Sequence, residues 1–407
     1  MRIENIKLKI GESERALLDI ASRKLHAPAY IRILRKSLDA RDKSNIRWIY
    51  SIEADNKPLP TEKREWPQVK SQPERVIIVG SGPAGLFCAI RLLRSGIRPL
   101  IIERGGTVED RVEKYKCFTE TRKLDPNCNI QFGEGGAGTF SDGKLNTQTK
   151  DPRNRDVLET FVQFGAPEEV AYLNKPHIGS DRLRTVLVNI RKYICSKGGE
   201  FLFHTQLSDI SVRNGKLYAA LLKDVNTRAI REEPASELVL AIGHSSRDTF
   251  SMLERRGFAM QAREFAVGVR IEHLQRKIDY AQYSVSHTSL PPADYKLVSH
   301  AGPRSAFTFC MCPGGYVMPA ASEEGGVVTN GMSNYARDGV NANSALLAQI
   351  RREDFYRGNV LDGVAFQRQI ERAAYAAAGC CYAAPVQRLE DFIAGRESRN
   401  FGEVLPT

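Results

Sequence analysis

The segment from Arg75 to Glu103 constrains the fold of this chain more than any other part of it. An apolar stretch, Val76 to Val79, leads into a glycine-rich turn at residues 80–85, and a helical stretch and a second apolar run, Pro99 to Ile102, follow. A dinucleotide-binding βαβ unit requires a strand, a glycine turn, a helix and a second strand in this order. The alternative, a plain glycine turn before a helix, does not account for the second strand and the acid after it.

Each position of this turn has its own part in the predicted unit. Gly80 permits the tight turn, Gly82 lets the backbone approach a pyrophosphate, and Gly85 lets the helix pack closely on the strand. The free N–H groups and the positive end of the helix favour phosphate. Glu103 stands where a carboxylate bonds ribose hydroxyls. The predicted cofactor-binding residues of this unit are Gly80, Ser81, Gly82, Pro83, Ala84, Gly85, Glu103 and Arg104.

Composition and cysteine spacing argue against several classes of protein. The 407 residues suffice for two or three domains, and no apolar run approaches the ~18–20 residues of a membrane span. The N-terminus lacks the apolar core of a secretory signal. The eight cysteines include no CxxC pair, so neither a zinc site nor a thioredoxin-like motif is indicated. We therefore expect a cytoplasmic protein with reduced thiols, no metal site and no membrane partner.

The net charge of +11 is concentrated near the N-terminus. Residues 1–70 hold 16 Lys and Arg against 10 Asp and Glu, which is +6 of the +11. A basic segment of this kind attracts anionic partners, including nucleic acid. A solvated surface is the simpler interpretation, so we expect no nucleic-acid partner.

Periodicity and turn residues divide the chain into four segments. These are a small domain at 1–54, a linker rich in proline and charge at 55–74, a dinucleotide-binding domain at 75–258, and an inserted α+β domain at 259–407. Helices are predicted at 14–24, 30–38, 181–197, 344–352 and 364–377, and further strands at 3–10, 46–52, 200–204, 207–212, 217–222 and 238–242.

Two further turns have the composition of a binding site. Residues 131–146 contain a second GxGxxG spacing, but no strand precedes it, so we interpret this stretch as a long backbone loop. His244 follows the predicted strand 238–242, at the edge where cofactors bind in α/β sheets. His244 could relay a proton or shape the cofactor site. Equally, the polar residues 245–248 could serve only to cap the next helix, with Arg247 in a salt bridge.

Two pairs of residues alternate along predicted strands of the last segment. Arg270 and Glu272 share one face, where they could bind substrate or pair with each other, and we favour pairing. Cys310 and Cys312 could be redox-active beside a cofactor. Buried, inert cysteine is the commoner outcome.

The chain resembles the bacterial FAD-dependent dehydrogenase-like proteins, a group of the two-dinucleotide-binding-domain flavoproteins or NAD(P)/FAD-dependent oxidoreductases. The resemblance covers nearly the whole chain from residue 75 onward, and the second and third of its motifs are the most specific. The motifs are VIIVGSGPAGLFCA (76–89), GEGGAGTFSDGKL (133–145), LAIGHSSRDTF (240–250), FAVGVRIEH (265–273), FCMCPGGYV (309–317), NGMSNYARDG (330–339) and APVQRLEDF (384–392), with SLDARDK (37–43) in the N-terminal domain.

The resemblance implies a fold class and further site residues. The fold would be α/β, a Rossmann-like FAD/NAD(P)-binding domain with an inserted α+β domain and a small N-terminal α+β domain. Backbone N–H groups between Gly133 and Lys144 would face the flavin. The additional cofactor-binding residues implied are Gly135, Gly136, Ala137, Gly138, Thr139, Ser141, Gly143, Lys144, Gly243 and His244. A late Gly-Asp or Gly-Glu segment that closes the FAD site in such proteins is absent after residue 330, so we expect a C-terminally truncated chain.

The expected function is that of an FAD-dependent oxidoreductase, or dehydrogenase, acting on a small-molecule substrate. Hydride would pass from that substrate or from NAD(P)H to the flavin, with His244 as the candidate catalytic residue. With only one complete dinucleotide fingerprint, a dedicated second NAD(P) domain is not expected. The alternatives are a flavin-free NAD-dependent dehydrogenase, a nucleotide- or RNA-associated binding protein using the basic N-terminal domain, and an inactive fragment.

Overall fold

The structure is a computed structural model that describes residues 1–60, 76–147, 149–284 and 289–407. Most of the predicted linker at 55–74 lies outside the described residues. The predicted fold class is confirmed. A parallel sheet flanked by helices stands between a small N-terminal α+β unit and a C-terminal α+β unit built on antiparallel strands.

The first unit is a small antiparallel sheet covered by a helix. Its elements are β1 (Arg2–Lys9), α1 (Arg15–Leu25), β2 (Tyr30–Asp39) and β3 (Arg47–Asp55), and its strands lie in the order β1-β3-β2. Leu17 of α1 packs with Leu8 and Ile52, and all three side chains are almost fully buried. The sheet and the helix therefore share one core.

The segment Tyr30–Leu38 lies within strand β2, so the basic helix predicted there is wrong. β2 pairs with β3 along its length. Ile31 and Ile33 are two residues apart, as the period of a strand requires, and both pack on the core of this unit. Arg32 reaches Glu53 on the neighbouring strand at 3.2 Å. Strand pairing and β-branched packing have overridden the local charge pattern.

The second unit is built around a parallel sheet. Its elements along the chain are β4 (Val76–Val79), α2 (Pro83–Arg94), β5 (Pro99–Ile102), α3 (Val108–Thr121), α4 (Arg153–Gln163), α5 (Ser180–Ser196), β6 (Glu200–Leu202), β7 (Thr205–Arg213), β8 (Lys216–Asp224), β9 (Ile230–Pro234), β10 (Glu237–Leu240) and α6 (Arg247–Arg255). The sheet order is β10-β4-β5-β6. Ile78 and Ile190 belong to the core between this sheet and helices α2 and α5, while Ile77 and Leu207 belong to the core shared with the β7-β8-β9 layer.

The third unit is an antiparallel sheet with a hairpin and helices. Its elements are β11 (Phe265–Leu274), α7 (Gln275–Tyr283), β12 (Val298–Ser299), β13 (Ala306–Cys312), β14 (Tyr316–Pro319), β15 (Thr329–Met332), β16 (Asn341–Ile350), α8 (Arg352–Phe355), α9 (Asp362–Ala377) and α10 (Leu389–Ile393). The main sheet has the order β11-β16-β13-β12, and β14 pairs with β15. The helix predicted at 364–377 is confirmed as α9.

The helix predicted at 344–352 is wrong, because strand β16 continues to Ile350 and α8 begins only at Arg352. β16 lies between β11 and β13 and pairs with both. The alanines and leucines of this stretch are good helix formers, but helix propensity is a weak preference that tertiary pairing overrides. The buried polar residues Asn343 and Ser344, both 0% exposed, show how central the strand is.

An arginine of α6 ties the second unit to the third. Arg247 is 8% exposed, and its guanidinium lies 2.7 Å from Glu323 and 2.6 Å from Glu371. Hydrogen bonds from Arg368 and Arg247 lower the pKa of Glu323 to about 2. The interpretation of Arg247 as a salt-bridge partner is therefore confirmed.

Among the described helices, none combines the length and the apolar character that a membrane crossing requires. In the same ranges, no three His, Cys, Asp or Glu side chains come together as metal ligands would.

Candidate functional site

A cavity of about 510 Å³ opens at the carboxyl ends of β4, β5 and β10. Parallel strands bring the turns that follow them to one edge of the sheet, which is where α/β proteins bind cofactors. Five segments of the chain share its wall, namely residues within 79–84, 102–104, 131–138, 205–207 and 240–249. The predicted site residues that line it are Gly80, Gly82, Pro83, Ala84, Glu103, Arg104, Gly136, Ala137, Gly138, Gly243 and His244.

Gly80 and Gly85 hold the first turn tightly against its neighbours. Gly80 has φ of +101°, and a Cβ atom there would lie 2.4 Å from the carbonyl oxygen of Ala241. A Cβ atom on Gly85, in the first turn of α2, would lie 1.9 Å from the carbonyl oxygen of Gly80. Gly82 precedes α2 and offers no side-chain cap. The first N–H groups of α2 are therefore left for a ligand at the cavity.

The carboxylate of Glu103, 6% exposed, joins this turn to the second glycine-rich loop. Its Oε2 accepts hydrogen bonds from N and Oγ of Ser81, both at 2.9 Å. Its Oε1 accepts from the N–H groups of Gly105 and Gly133, both at 3.0 Å. A carboxylate has about four lone-pair sites, so protein donors occupy all of them. Ribose binding by Glu103 stays a prediction, and it requires one of these donors to give way.

Several amides of the second glycine-rich loop are used inside the protein. The N–H groups of five residues bond to protein acceptors, namely Gly133, Glu134, Gly135, Gly136 and Gly143. These five amides are not available to a cofactor, contrary to the expectation that the loop as a whole directs donors at a flavin. The loop borders the cavity at residues 136–138 instead.

A fully buried arginine that the sequence analysis missed holds this loop in place. Arg111 lies on α3 with 0% exposure. Its guanidinium donates to the carbonyl oxygens of Asn129, Ile130, Glu134 and Gly136 and to Oγ1 of Thr139. Burial lowers its pKa to about 10, so it stays charged at neutral pH. No local motif marks such a residue, because arginine on a helix is mostly a surface residue.

Other predicted site residues lie away from the cavity. Ser81, Gly85 and Gly135 are buried behind its wall. Oγ1 of Thr139 accepts a hydrogen bond from Arg111, and Oγ of Ser141 accepts one from the N–H of Gly143. Lys144 reaches the third unit, where its Nζ donates to the carbonyl oxygen of Met311. The structure therefore does not bring residues 139–144 to the cavity.

His244 and Arg104 lie on the cavity wall with different surroundings. Nε2 of His244 lies 3.3 Å from Oγ of Ser245. Partial burial and the nearby charge of Arg247 lower the pKa of His244, so its imidazole is neutral at neutral pH. Arg104 pairs with Asp248 at 2.8 Å. Ser246 makes no side-chain cap on α6; its hydroxyl donates to the carbonyl oxygen of Ile242 instead.

Arg270 and Glu272 do not pair, so that expectation is wrong. Nη1 of Arg270 donates to Oδ1 of Asn343 at 2.5 Å, while Glu272 accepts from Nδ2 of Asn341 at 2.9 Å. Cys312 is 1% exposed, and burial raises the pKa of its thiol to about 11. This favours the inert interpretation for Cys312.

Three described families match parts of this chain. The family "FAD-dependent protein, C-terminal domain-like" matches residues 264–407, and "FAD binding domain" matches residues 74–115. A domain of unknown function matches residues 1–55. An uncharacterized protein of Clostridium beijerinckii is 41% identical over 432 residues, which covers 100% of this chain and 80% of that protein.

Several solved structures are similar to parts of the chain. THI4 of Thermovibrio ammonificans shows 18% identity over 47% of this chain and 66% of its own, with a TM-score of 0.32. Glycerol-3-phosphate dehydrogenase from Bacillus halodurans, complexed with FAD, shows 12% identity over 77% of this chain and 54% of its own, with a TM-score of 0.35. A flavoprotein/dehydrogenase from Cytophaga hutchinsonii shows 12% identity over 70% of this chain and 58% of its own, with a TM-score of 0.36. The chain thus spans less than two thirds of each of these proteins.

Gly82→Val should nearly abolish FAD and ADP binding while the protein stays folded. A Cβ atom at Gly82 meets only the Cα of Gly136 at 3.9 Å, so the fold has room for it, but the branched side chain would stand before the N-terminus of α2. Calorimetric titration with ADP and FAD measures the loss. Gly302→Val, in open surroundings, is the control. A Gly82→Val protein that binds both ligands like the wild type would show that this turn is not the phosphate site.

Arg111→Met should destabilise the protein by about 3–5 kcal/mol, because the loop carbonyls lose their buried donor. Arg111→Lys should recover only part of this, since an ammonium has three donors and no planar fork. Urea unfolding and retention of FAD on gel filtration measure both effects. The exposed Arg155→Met is the control. Wild-type stability in both Arg111 variants would mean that the loop holds its shape without this residue.

Glu134→Gln should gain stability over the wild type as pH rises from 5 to 8. Glu134 is 0% exposed. Its Oε2 accepts from the N–H of Val108 at 2.9 Å, and its Oε1 lies 3.4 Å from Nε of Arg191 without a hydrogen bond. Burial raises its pKa to about 7. The folded protein therefore binds the proton more tightly than the unfolded chain, and wild-type stability falls between the two pKa values as pH rises.

Glutamine does not titrate, so the difference between the two unfolding free energies should grow by about 3 kcal/mol over this pH range. Urea unfolding at several pH values measures it, with the exposed Glu113→Gln on α3 as control. Parallel pH profiles for Glu134→Gln and the wild type would contradict the raised pKa.

Proposed function

This chain belongs to the same family as the uncharacterized protein of Clostridium beijerinckii, and because two FAD-dependent families match its own residues, we propose that it is an FAD-dependent oxidoreductase. FAD is its cofactor. When bound, the flavin supplies a centre that accepts hydride, and the protein supplies position and polarity. We propose that the hydride comes from a small-molecule substrate or from NAD(P)H.

The uncapped N-terminus of α2 beside the cavity carries this proposal. The cavity volume of about 510 Å³ falls in the range of cofactor sites. Gly138 and Gly243 both line the cavity, and a Cβ atom on either would meet no protein atom within 4 Å. The space at both positions is therefore open, as a cradle for a long ligand needs to be. The residues present fit a dinucleotide, with residues 82–85 at its phosphates and the wall at 136–138 and 243–244 along its length.

His244 is the proton-handling residue of the proposed reaction. Its imidazole is neutral at neutral pH and lies beside the hydroxyl of Ser245, so it can accept a proton and pass it on. Glu103, which also lines the cavity, is fully occupied by protein donors. We therefore assign Glu103 to holding the site and His244 to exchanging protons.

Purified full-length protein should show the visible absorption of bound flavin, and NADH or NADPH should bleach it under anaerobic conditions. His244→Gln should keep the flavin but slow its reduction by about 10-fold or more, because glutamine keeps hydrogen bonding and loses titration. Stopped-flow absorbance across pH 5–8 measures the rate.

The exposed His300→Gln in the third unit is the control. Wild-type rates for His244→Gln at every pH would remove His244 from the reaction. Bound flavin that neither nicotinamide nor a panel of alcohols, amines and acids can bleach would contradict an oxidoreductase.

A further inference from the structure

One face of the sheet in the third unit combines a cation with an apolar surface. Residues opposite each other across antiparallel strands share a face. Ala345 of β16 lies opposite both Arg270 of β11 and Phe309 of β13, and Asn343 lies opposite Cys312. A bulge between Phe309 and Cys312 keeps both on this face. Arg270, Asn343 and Phe309 therefore stand side by side.

Arg270 lacks an acidic partner among residues 1–60, 76–147, 149–284 and 289–407. Its Nη1 bonds only to neutral acceptors, Oδ1 of Asn343 at 2.5 Å and the carbonyl oxygen of Cys310 at 3.5 Å. Glu272, two residues away, is occupied by Asn341 and Thr407. Burial lowers the pKa of Arg270, which shows that its charge is partly withdrawn from water. A half-buried cation of this kind is stabilised when an anion joins it.

Asn343 beside it has an unused donor. The side chain is 0% exposed. Oδ1 of Asn343 accepts a hydrogen bond from Arg270. Nδ2 of Asn343 has no acceptor in the described part of the protein. Buried polar atoms are nearly always paired in folded proteins. The polar end of this face thus has an unused donor, while the carboxylate of Glu272, which lies opposite Asn343, accepts hydrogen bonds from Asn341 and Thr407.

Lys144 adds a second cation at the same place. Its Nζ bonds to the carbonyl oxygen of Met311 on β13, and its nearest carboxylate is Asp142 at 3.8 Å. Asp142 is already paired with Arg337. Burial raises the pKa of Cys310, while the charges of Lys144 and Arg270 act against it. Both cations therefore lie close to this one residue.

A short stretch of chain connects this face to the cofactor cavity. Gly138 lines the cavity and Lys144 contacts β13. Six residues span at most about 20 Å, so the backbones of Gly138 and Lys144 are no further apart than that. Beside Ala345 on this face, Phe309 is 57% exposed and offers an aromatic surface.

We propose that this face binds an organic acid with an apolar body, with the carboxylate at Arg270 and Lys144 and the apolar body against Phe309. This rests on the proposed function, for which it names the substrate class. A guanidinium fork matches a carboxylate in shape and charge. Arg270 selects acids over neutral analogues, and Phe309 selects acids with an apolar chain or ring over acetate.

Phenylacetate, hexanoate and acetate, each beside its neutral amide, are titrated calorimetrically into the FAD-loaded protein. We expect phenylacetate and hexanoate to bind at least about 10-fold more tightly than their amides. Arg270→Met should weaken acid binding by about 10- to 100-fold, and Arg270→Lys should fall between it and the wild type. Phe309→Ala should weaken phenylacetate and hexanoate and leave acetate unchanged. Arg276→Met, an exposed arginine of the same unit, is the control.

Equal binding of acids and amides overturns the proposal, as does wild-type acid binding by Arg270→Met. Inorganic phosphate that binds more tightly than every acid also overturns it, in favour of a phosphate site. Flavin content and bleaching by NADPH are measured on the same samples. If NADPH bleaches the flavin but acid binding does not depend on Arg270, the acid site is contradicted and the proposed oxidoreductase activity still stands. If acid binding depends on Arg270 but no donor bleaches the flavin of the wild-type protein, the acid site is supported and the proposed oxidoreductase activity is contradicted.

Discussion

The shape of the cofactor cavity depends on the buried guanidinium of Arg111. Gly133, Gly135 and Gly136 all have positive φ values, and this backbone turns successive carbonyl groups toward the protein interior. Such groups need donors when water is excluded. Arginine has five N–H donors in a fixed planar arrangement. The guanidinium of Arg111 donates to this loop and to the two carbonyl groups that precede it. The glycines turn the carbonyl groups inward and the arginine supplies their donors, so the loop conformation depends on both.

A cation placed at 0% exposure is costly unless negative charge lies near it. Arg111 makes no direct ion pair within the described chain, but Glu103 and Glu134 lie close enough to oppose the effect of burial on its pKa. The same two carboxylates accept backbone N–H groups from the turns around the cavity. These three side chains thus hold three segments of irregular backbone together.

The sequence predicted the first turn well because its constraints are local. The positive φ of Gly80 and the close approach at Gly85 follow from a strand that runs directly into a helix, and few residues other than glycine fit there. The position of Glu103 was also predictable, but its four donors come from three separate turns. Arg111 could not be found, since its acceptors exist only once the loop has folded. The local sequence predicts helices where strands β2 and β16 form for a similar reason, because distant partners decide their structure.

The saturation of Glu103 has a consequence for how the cofactor comes and goes. Its four hydrogen bonds are made by the polypeptide itself, so protein contacts alone hold the turns at Ser81, Gly105 and Gly133 together. Ordering a loop during association costs roughly 1–2 kcal/mol per residue in conformational entropy, and a preorganised wall avoids most of that cost. We therefore expect FAD to exchange without unfolding of these turns, with at most one hydrogen bond to Glu103 replaced by the ribose.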